Sequence, residues 1–286
     1  ADYVQGIPAN TVRVVAVSDT HHFHSELQVP QGDILIHGGD LCYEESRSAD
    51  GAKFDGYVSE KKPLSGDAFN KWFDDSGLHL LDCLKWLGEQ KFEHKVLIGG
   101  NHDYILEQLQ PENAEKLCSR FGVTYLHDKS GTKKLSVKGA SRPVTVWGSG
   151  ISFSGSVSAS RAVKTGNVAF QLPEEEAEKV LRGFMPGGSS TLTPKSVDIM
   201  MTHTPPGGCL LGKKGQAADA LSELIKHVHP SLYVCGHAHH PQDPFKDTVA
   251  DFDGVVGVNA SCTGTWNHLH GLPMVVDLKL EGLTRS

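Results

Sequence analysis

No stretch of the 286 residues reaches the roughly 20 consecutive apolar positions of a membrane-spanning helix, so a helical membrane anchor is not expected. Dense basic blocks are missing as well. The longest Lys/Arg clusters are pairs such as Lys61–Lys62, Lys133–Lys134 and Lys213–Lys214, and the net charge is −7. A chain that grips a nucleic-acid backbone should show a basic stripe, so long nucleic acids are poor partners. A small anion could still be drawn in by bound cations, whose local charge outweighs the average field. Cysteines are few, at positions 42, 83, 118, 209, 235 and 262, and none forms a C-x-x-C pair. That spacing reads as reduced, mostly buried thiols rather than a disulfide scaffold. Residues 1–6 carry neither a basic nor an apolar leader-like segment, and a cytoplasmic location is the expectation. Asn259-Ala260-Ser261 matches a glycosylation sequon, but it abuts a strand-like run and is read as coincidence.

What is present is ordinary globular composition, with 38% hydrophobic and 21% charged residues, enough for a core without covalent staples. A single domain over 1–286 is expected. Short Val/Ile-rich runs predict strands at 12–18, 33–37, 95–99, 123–126, 134–138, 144–148, 197–202, 231–235, 255–260 and 274–278. Several lack polar alternation, as strands covered on both faces do. Amphipathic runs predict helices at 67–87, 104–121, 174–184 and 216–227. Pro173 at the first position, followed by three glutamates, marks the start of the third; the fourth stops before Pro230. Strand–helix alternation followed mostly by strands implies layered α/β architecture with mixed sheets. Polar stretches at 42–66, 149–167 and 183–196 are read as loops, because chemical motifs flank each one.

Five short segments fall at the downstream ends of predicted strands. They are Asp19-Thr20-His21, Gly38-Gly39-Asp40, Gly100-Asn101-His102-Asp103, Thr202-His203 and Gly236-His237-Ala238-His239. Singly, each has an ordinary explanation: a loop histidine, a Gly-Asp turn, a helix cap. Jointly they aim imidazoles, carboxylates and one amide at a single rim, where open α/β sheets gather ligands. Oxygen and nitrogen donors without a thiolate suit hard-to-borderline divalent cations. His37 lies inside its strand and is read as a buried, hydrogen-bonded imidazole. Gly207–Lys213 follows G-x-x-x-x-G-K, but Lys214 stands where a P-loop needs Ser or Thr, so it is read as a loop beside the site.

The order D-x-H, G-D, G-N-H-D, H and G-H-x-H resembles the signature of the calcineurin-like metallophosphoesterase superfamily. Residues 17–21, 32–37, 197–206 and 258–261 are similar to its metallophosphoesterase-domain-containing (239AB-like) branch. The resemblance implies a four-layer αββα sandwich with two mixed β-sheets, the metallo-dependent phosphatase fold. It implies that Asp19, His21 and His239 hold one metal ion and Asn101, His203 and His237 a second. Asp40 would bridge them with its two oxygens, and His102 would be a non-ligand near the leaving group. Two divalent ions (Mn, Fe or Zn) would be the cofactors, and a hydroxide shared between them the nucleophile.

A small phosphate ester is the expected partner. The branch suggests a phosphodiester, with a cyclic nucleotide as one form; a phosphomonoesterase and a non-catalytic metal-binding scaffold are the alternatives. The arginine that follows the second motif in protein Ser/Thr phosphatases is missing from Gly39-Asp40-Leu41-Cys42-Tyr43-Glu44-Glu45, which argues against phosphoprotein substrates. His240 stands where the nearer branch commonly has Glu, and 149–167 departs from that branch's aromatic-rich loop. His22, Trp266 and His268 are candidate substrate contacts. Arg161 has the charge for a phosphate oxygen, though a lone loop arginine is usually solvated. Asp103 either orients His102 or anchors the helix that follows.

Overall fold

The computed structural model describes residues 6–42, 80–153, 169–239, 246–264 and 269–285. Its strands begin with β1 (Val12–Val17), β2 (Ile34–His37), β3 (His94–Leu97), β4 (Val123–Tyr125), β5 (Lys133–Leu135) and β6 (Val144–Ser149). They continue with β7 (Ser152–Phe153), β8 (Gln171–Leu172), β9 (Ile199–Thr202), β10 (Leu232–Cys235), β11 (Val249–Asp251), β12 (Val256–Asn259) and β13 (Met274–Leu278). Helices are α1 (residues 80–89), α2 (Tyr104–Gln108), α3 (Gln110–Arg120), α4 (Glu174–Arg182) and α5 (Gln216–Val228).

Two large sheets result. The first runs β13-β1-β2-β3-β4 and the second β11-β12-β10-β9-β6-β5. β1 to β4 are mutually parallel, as are β12, β10, β9 and β6, while β13, β11 and β5 join antiparallel at the edges. Period-two alternation along each strand divides its side chains between two layers. In β1, Val12, Val14 and Ala16 pack between the sheets against Ile199, Met201, Leu232 and Val234 of the second. Val15 and Val17 instead face α1, α2 and α3 through Leu84, Leu87, Tyr104, Ile105, Ala114 and Cys118. On the far side, Trp147, Met200 and Tyr233 meet α4 and α5 through Leu181, Leu221 and Leu224. The order is therefore helix, sheet, sheet, helix, the expected αββα sandwich. Trp147 packs edge-on against Phe184, with centroids 4.9 Å apart, closing the second helical layer.

Each sheet carries the same device at the entrance to a parallel strand. Asp33, just before β2, receives both arms of Arg285 at 2.6 and 2.7 Å and the Arg13 amide at 2.9 Å. Asp198, just before β9, receives both arms of Arg142 at 2.8 and 2.9 Å and the Thr145 amide at 2.8 Å. Bidentate pairs of this kind fix geometry as well as charge.

Several boundaries differ from the sequence reading. The helix expected over 104–121 breaks at Gln110, whose φ is +62°, because Pro111 disfavours helical backbone in the residue before it. Pro173 is the N-cap of α4, not its first helical residue. The strand expected at 134–138 is shorter and shifted, and β7, β8 and β11, of two or three residues each, were too short to stand out. The helix expected from 67 is described only from residue 80, and most of 42–66 and 149–167 lies outside the described residues. Among the described residues no helix is long and apolar enough to cross a membrane.

Candidate metal centre

Parallel pairing puts the carboxyl ends of β1, β2 and β3 on one rim and those of β9, β10 and β12 on another. Val17 pairs with His37 and His37 with Leu97, so the turns after these strands start level. The rims are joined directly. Ser18 bridges to Ser261, the Cys262 amide donates to Ser18 O at 2.8 Å, and Gly38 O faces His203 Nδ1 at 2.8 Å. All five sequence segments converge at this junction.

Two groups of donors result. Asp19, His21 and His239 place one ligand-type atom each within 4.8 Å of one another, and so do Asp40, His203 and His237. In the first group His239 Nε2 lies 3.2 Å from Asp19 Oδ1 and 3.1 Å from His21 Nε2. In the second, Asn101 Oδ1 sits 3.0 Å from His203 Nε2 and 2.5 Å from His237 Nδ1. Asp40 Oδ2 faces both groups, 3.3 Å from His203 Nε2 and 3.9 Å from His21 Nε2. Oδ1 accepts the main-chain N–H of His102 at 2.8 Å, and Oδ2 is the oxygen turned toward both groups.

The surroundings prepare these atoms for a cation. A carbonyl can only accept, so Gly38 O keeps a proton on Nδ1 of His203 and turns Nε2 inward as the nitrogen available to a metal. Cys42 O does the same for His21 Nδ1 at 3.3 Å. Burial pushes the His21 imidazole down to about 3 and that of His237 down to about 4, so both stay neutral, the form that ligates a metal. Burial also opposes ionisation of Asp19, but the His239 hydrogen bond and the nearby His203 charge hold its carboxyl well below the usual range. Two imidazole nitrogens 3.1 Å apart and an amide oxygen squeezed between two more form a donor-rich knot. Divalent ions fit that set of carboxylate, amide and imidazole atoms.

The backbone pays for this convergence with strain. Asp19, His21, His22, Asp40 and His237 all have φ between +43° and +70°, a region that costs L-residues roughly 1–2 kcal/mol. Such clustering of left-handed residues is characteristic of sites where chain direction is dictated by side-chain placement.

Residues outside the donor groups fall into place differently. His102 is buried, its ring edge-on to His21 with centroids 5.1 Å apart. Burial pushes its pKa down against the opposing pull of Asp40. His37 is a core imidazole as expected, 3.0 Å from Thr20 Oγ1 and pushed down to about 4 by burial. Asp103 ties turns together. Its carboxylate makes no cap bond to α2 and instead gathers main-chain N–H groups from the turns after β2 and β3. His22 turns away from the donor groups, with Nδ1 3.8 Å from Cys83 Sγ, because its left-handed backbone reverses the chain right after His21. Trp266, His268, His240 and Arg161 lie outside the described residues. Asn259 is buried, with its amide donating to Leu210 O and Ala238 O, so the sequon is structural.

A cavity of about 220 Å³ opens beside His237. Lys213, Lys214, Phe153 and Leu211 line it, so the Gly207–Lys213 run lies beside the centre as the sequence suggests, while Phe153 carried no sequence signal.

The sequence matches the calcineurin-like phosphoesterases from residue 12 to residue 241, and the chain belongs to that family. It is 28% identical to human metallophosphoesterase domain-containing protein 1, over 95% of this chain and 72% of that protein. A probable rhamnogalacturonate lyase C of Emericella nidulans is 30% identical over 80% of this chain, but the match takes in only 17% of that protein. One solved crystal structure superposes with a TM-score of 0.55 at 14% identity, covering 96% of this chain and 98% of its own, which supports the fold alone.

Proposed function

We propose that this phosphoesterase works as a two-metal hydrolase of small phosphodiesters, with cyclic nucleotides among the substrates to test. The carrying observation is Asp40 Oδ2, a single carboxylate oxygen facing two separate groups of ligand-type atoms. Asp19, His21 and His239 would hold one ion, Asn101, His203 and His237 the other, and Asp40 both. Bound there, divalent ions acidify water and neutralise phosphate charge.

The chain's own groups do the remaining work. Gly38 O and Cys42 O set the tautomers of His203 and His21. Asp103 keeps the turns after β2 and β3 together, so that Asp40 and Asn101 keep their spacing. His102, tied through its N–H to Asp40, places an imidazole at the edge of the centre. Burial favours its neutral form, so it serves the leaving oxygen or an equatorial phosphate oxygen as a hydrogen-bond donor. Lys213 and Lys214 offer positive charge to whatever part of the substrate extends past His237. A dense basic surface is not needed for that role, consistent with the net charge of −7.

The test is turnover of bis-p-nitrophenyl phosphate against p-nitrophenyl phosphate with added Mn²⁺. Preference for the diester supports the reading. Turnover of the monoester alone would replace it with a phosphomonoesterase, and no turnover of either with both ions bound would leave a metal-binding scaffold.

A further inference from the structure

A second kind of ligand chemistry lies behind the centre. His22, Cys42 and Cys83 come from three chain segments: the turn after β1, the turn after β2, and α1. One ligand-type atom from each lies within 4.8 Å of the others. Both thiols are buried, and His22 Nδ1 is 3.8 Å from Cys83 Sγ. Tetrahedral zinc, with bonds of about 2.3 Å to sulfur and about 2.0–2.1 Å to nitrogen, needs edges of about 3.6 Å (N···S) and about 3.8 Å (S···S). The His22–Cys83 edge, at 3.8 Å, already stands near that spacing, and the other two are within 4.8 Å. Behind them, His24 approaches Cys83 Sγ with Nδ1 at 3.4 Å and Asp82 with Nε2 at 3.2 Å. His24, held by Asp82, is placed to donate to the Cys83 sulfur as an outer-shell partner that orients a ligand.

We propose that His22, Cys42 and Cys83 form a third metal site, rich in sulfur, beside the oxygen and nitrogen centre. Two thiols and an imidazole select a soft or borderline ion, zinc or copper(I), not the harder ions suited to the neighbouring donors. Three protein ligands leave a fourth position open. Loading displaces the two thiol protons to solvent. His22 follows His21 directly, and Cys42 lies two residues beyond Asp40 with its carbonyl facing His21 Nδ1. An ion here therefore braces both turns that carry the first donor group and the shared carboxylate. The assignment does not rest on the two-metal reading, because its ligands are different atoms.

The reduced, intact chain is loaded with Co²⁺, with absorption recorded alongside bound metal by elemental analysis. The wild type should develop a thiolate-to-cobalt charge-transfer band, which oxygen and nitrogen ligands do not produce. Cys42→Ser and Cys83→Ser should each remove the band, whereas Cys118→Ser, a buried thiol outside the donor group, should keep it. His24→Ala should keep the band but weaken the affinity of this equivalent by about 10–100-fold. A wild-type spectrum without the band overturns the proposal whatever the variants do, and so does a band that survives both Cys42→Ser and Cys83→Ser. If the band forms but no further equivalents bind, the two-metal reading falls and this one stands.

Discussion

Asp103 Oδ2 accepts the main-chain N–H of Asp40 at 2.8 Å, tying the residue shared by both donor groups to a carboxylate on a different turn. The same carboxylate takes N–H groups from Gly100 at 2.8 Å, Leu41 at 2.9 Å and Cys42 at 3.2 Å. Asp103→Asn turns one acceptor oxygen into an NH₂ that confronts two of these amides. Each buried N–H left without an acceptor costs about 1–3 kcal/mol. The variant should lose about 2–6 kcal/mol in urea unfolding and lose bound metal with it. An unchanged midpoint would show that the turns hold together without Asp103.

Asp40 and His102 should separate metal binding from rate. Asp40→Ala removes the one oxygen that faces both groups and should abolish activity together with metal stoichiometry. His102→Ala leaves all seven candidate ligands in place, and should cost about 10²–10⁴-fold in turnover with metal content intact. Full activity in the His102 variant would remove this residue from the reaction.

Gly39 tests the close approach of the turn to the site. Its φ is +99°, and an added Cβ would stand 2.7 Å from His203 Nδ1 and from Gly99 O. Gly131 is also left-handed, at +63°, but meets nothing within 4 Å. Gly131→Ala should cost only about 1–2 kcal/mol for its backbone and leave metal content unchanged. Gly39→Ala should cost more and displace His203. Thermal unfolding and metal analysis of the two variants side by side would decide, and equal effects would count against the crowding.

His203 makes metal uptake depend on pH. Burial opposes its protonation in the metal-free protein, but the charge and hydrogen bond of Asp40 outweigh this and raise its pKa to about 9. A cation needs the Nε2 lone pair, so binding must expel that proton. Affinity should rise about tenfold per pH unit as pH climbs toward 9 and level off above it. Calorimetry in two buffers of different ionisation enthalpy should register proton release at pH 7. His21 and His237, near 3 and 4, are already neutral there and contribute none.

The family, the layered fold and the candidate donors were legible along the chain because their signals are local. Val/Ile runs mark strands buried on both faces, and Asp, Asn and His in short Gly-containing motifs recur at strand ends. The break at Gln110 is equally local, since Pro111 disfavours helical backbone in the residue before it. The side-chain direction of His22 is not local in the same way. Its neighbour His21 points into the donor group, and adjacency in sequence does not predict adjacency of side chains where the backbone is left-handed.

The chain by itself determined which atoms are available as donors and which strand each follows, since residue type and hydrophobic pattern need no partner to be read. Tertiary structure alone decided that Asp40 offers one oxygen to both groups, that Asp103 binds four amides, and that Cys42 meets Cys83. Those relationships join segments dozens of residues apart, and their distances are set by how two twisted sheets pack at their carboxyl ends. No local signal encodes such a distance.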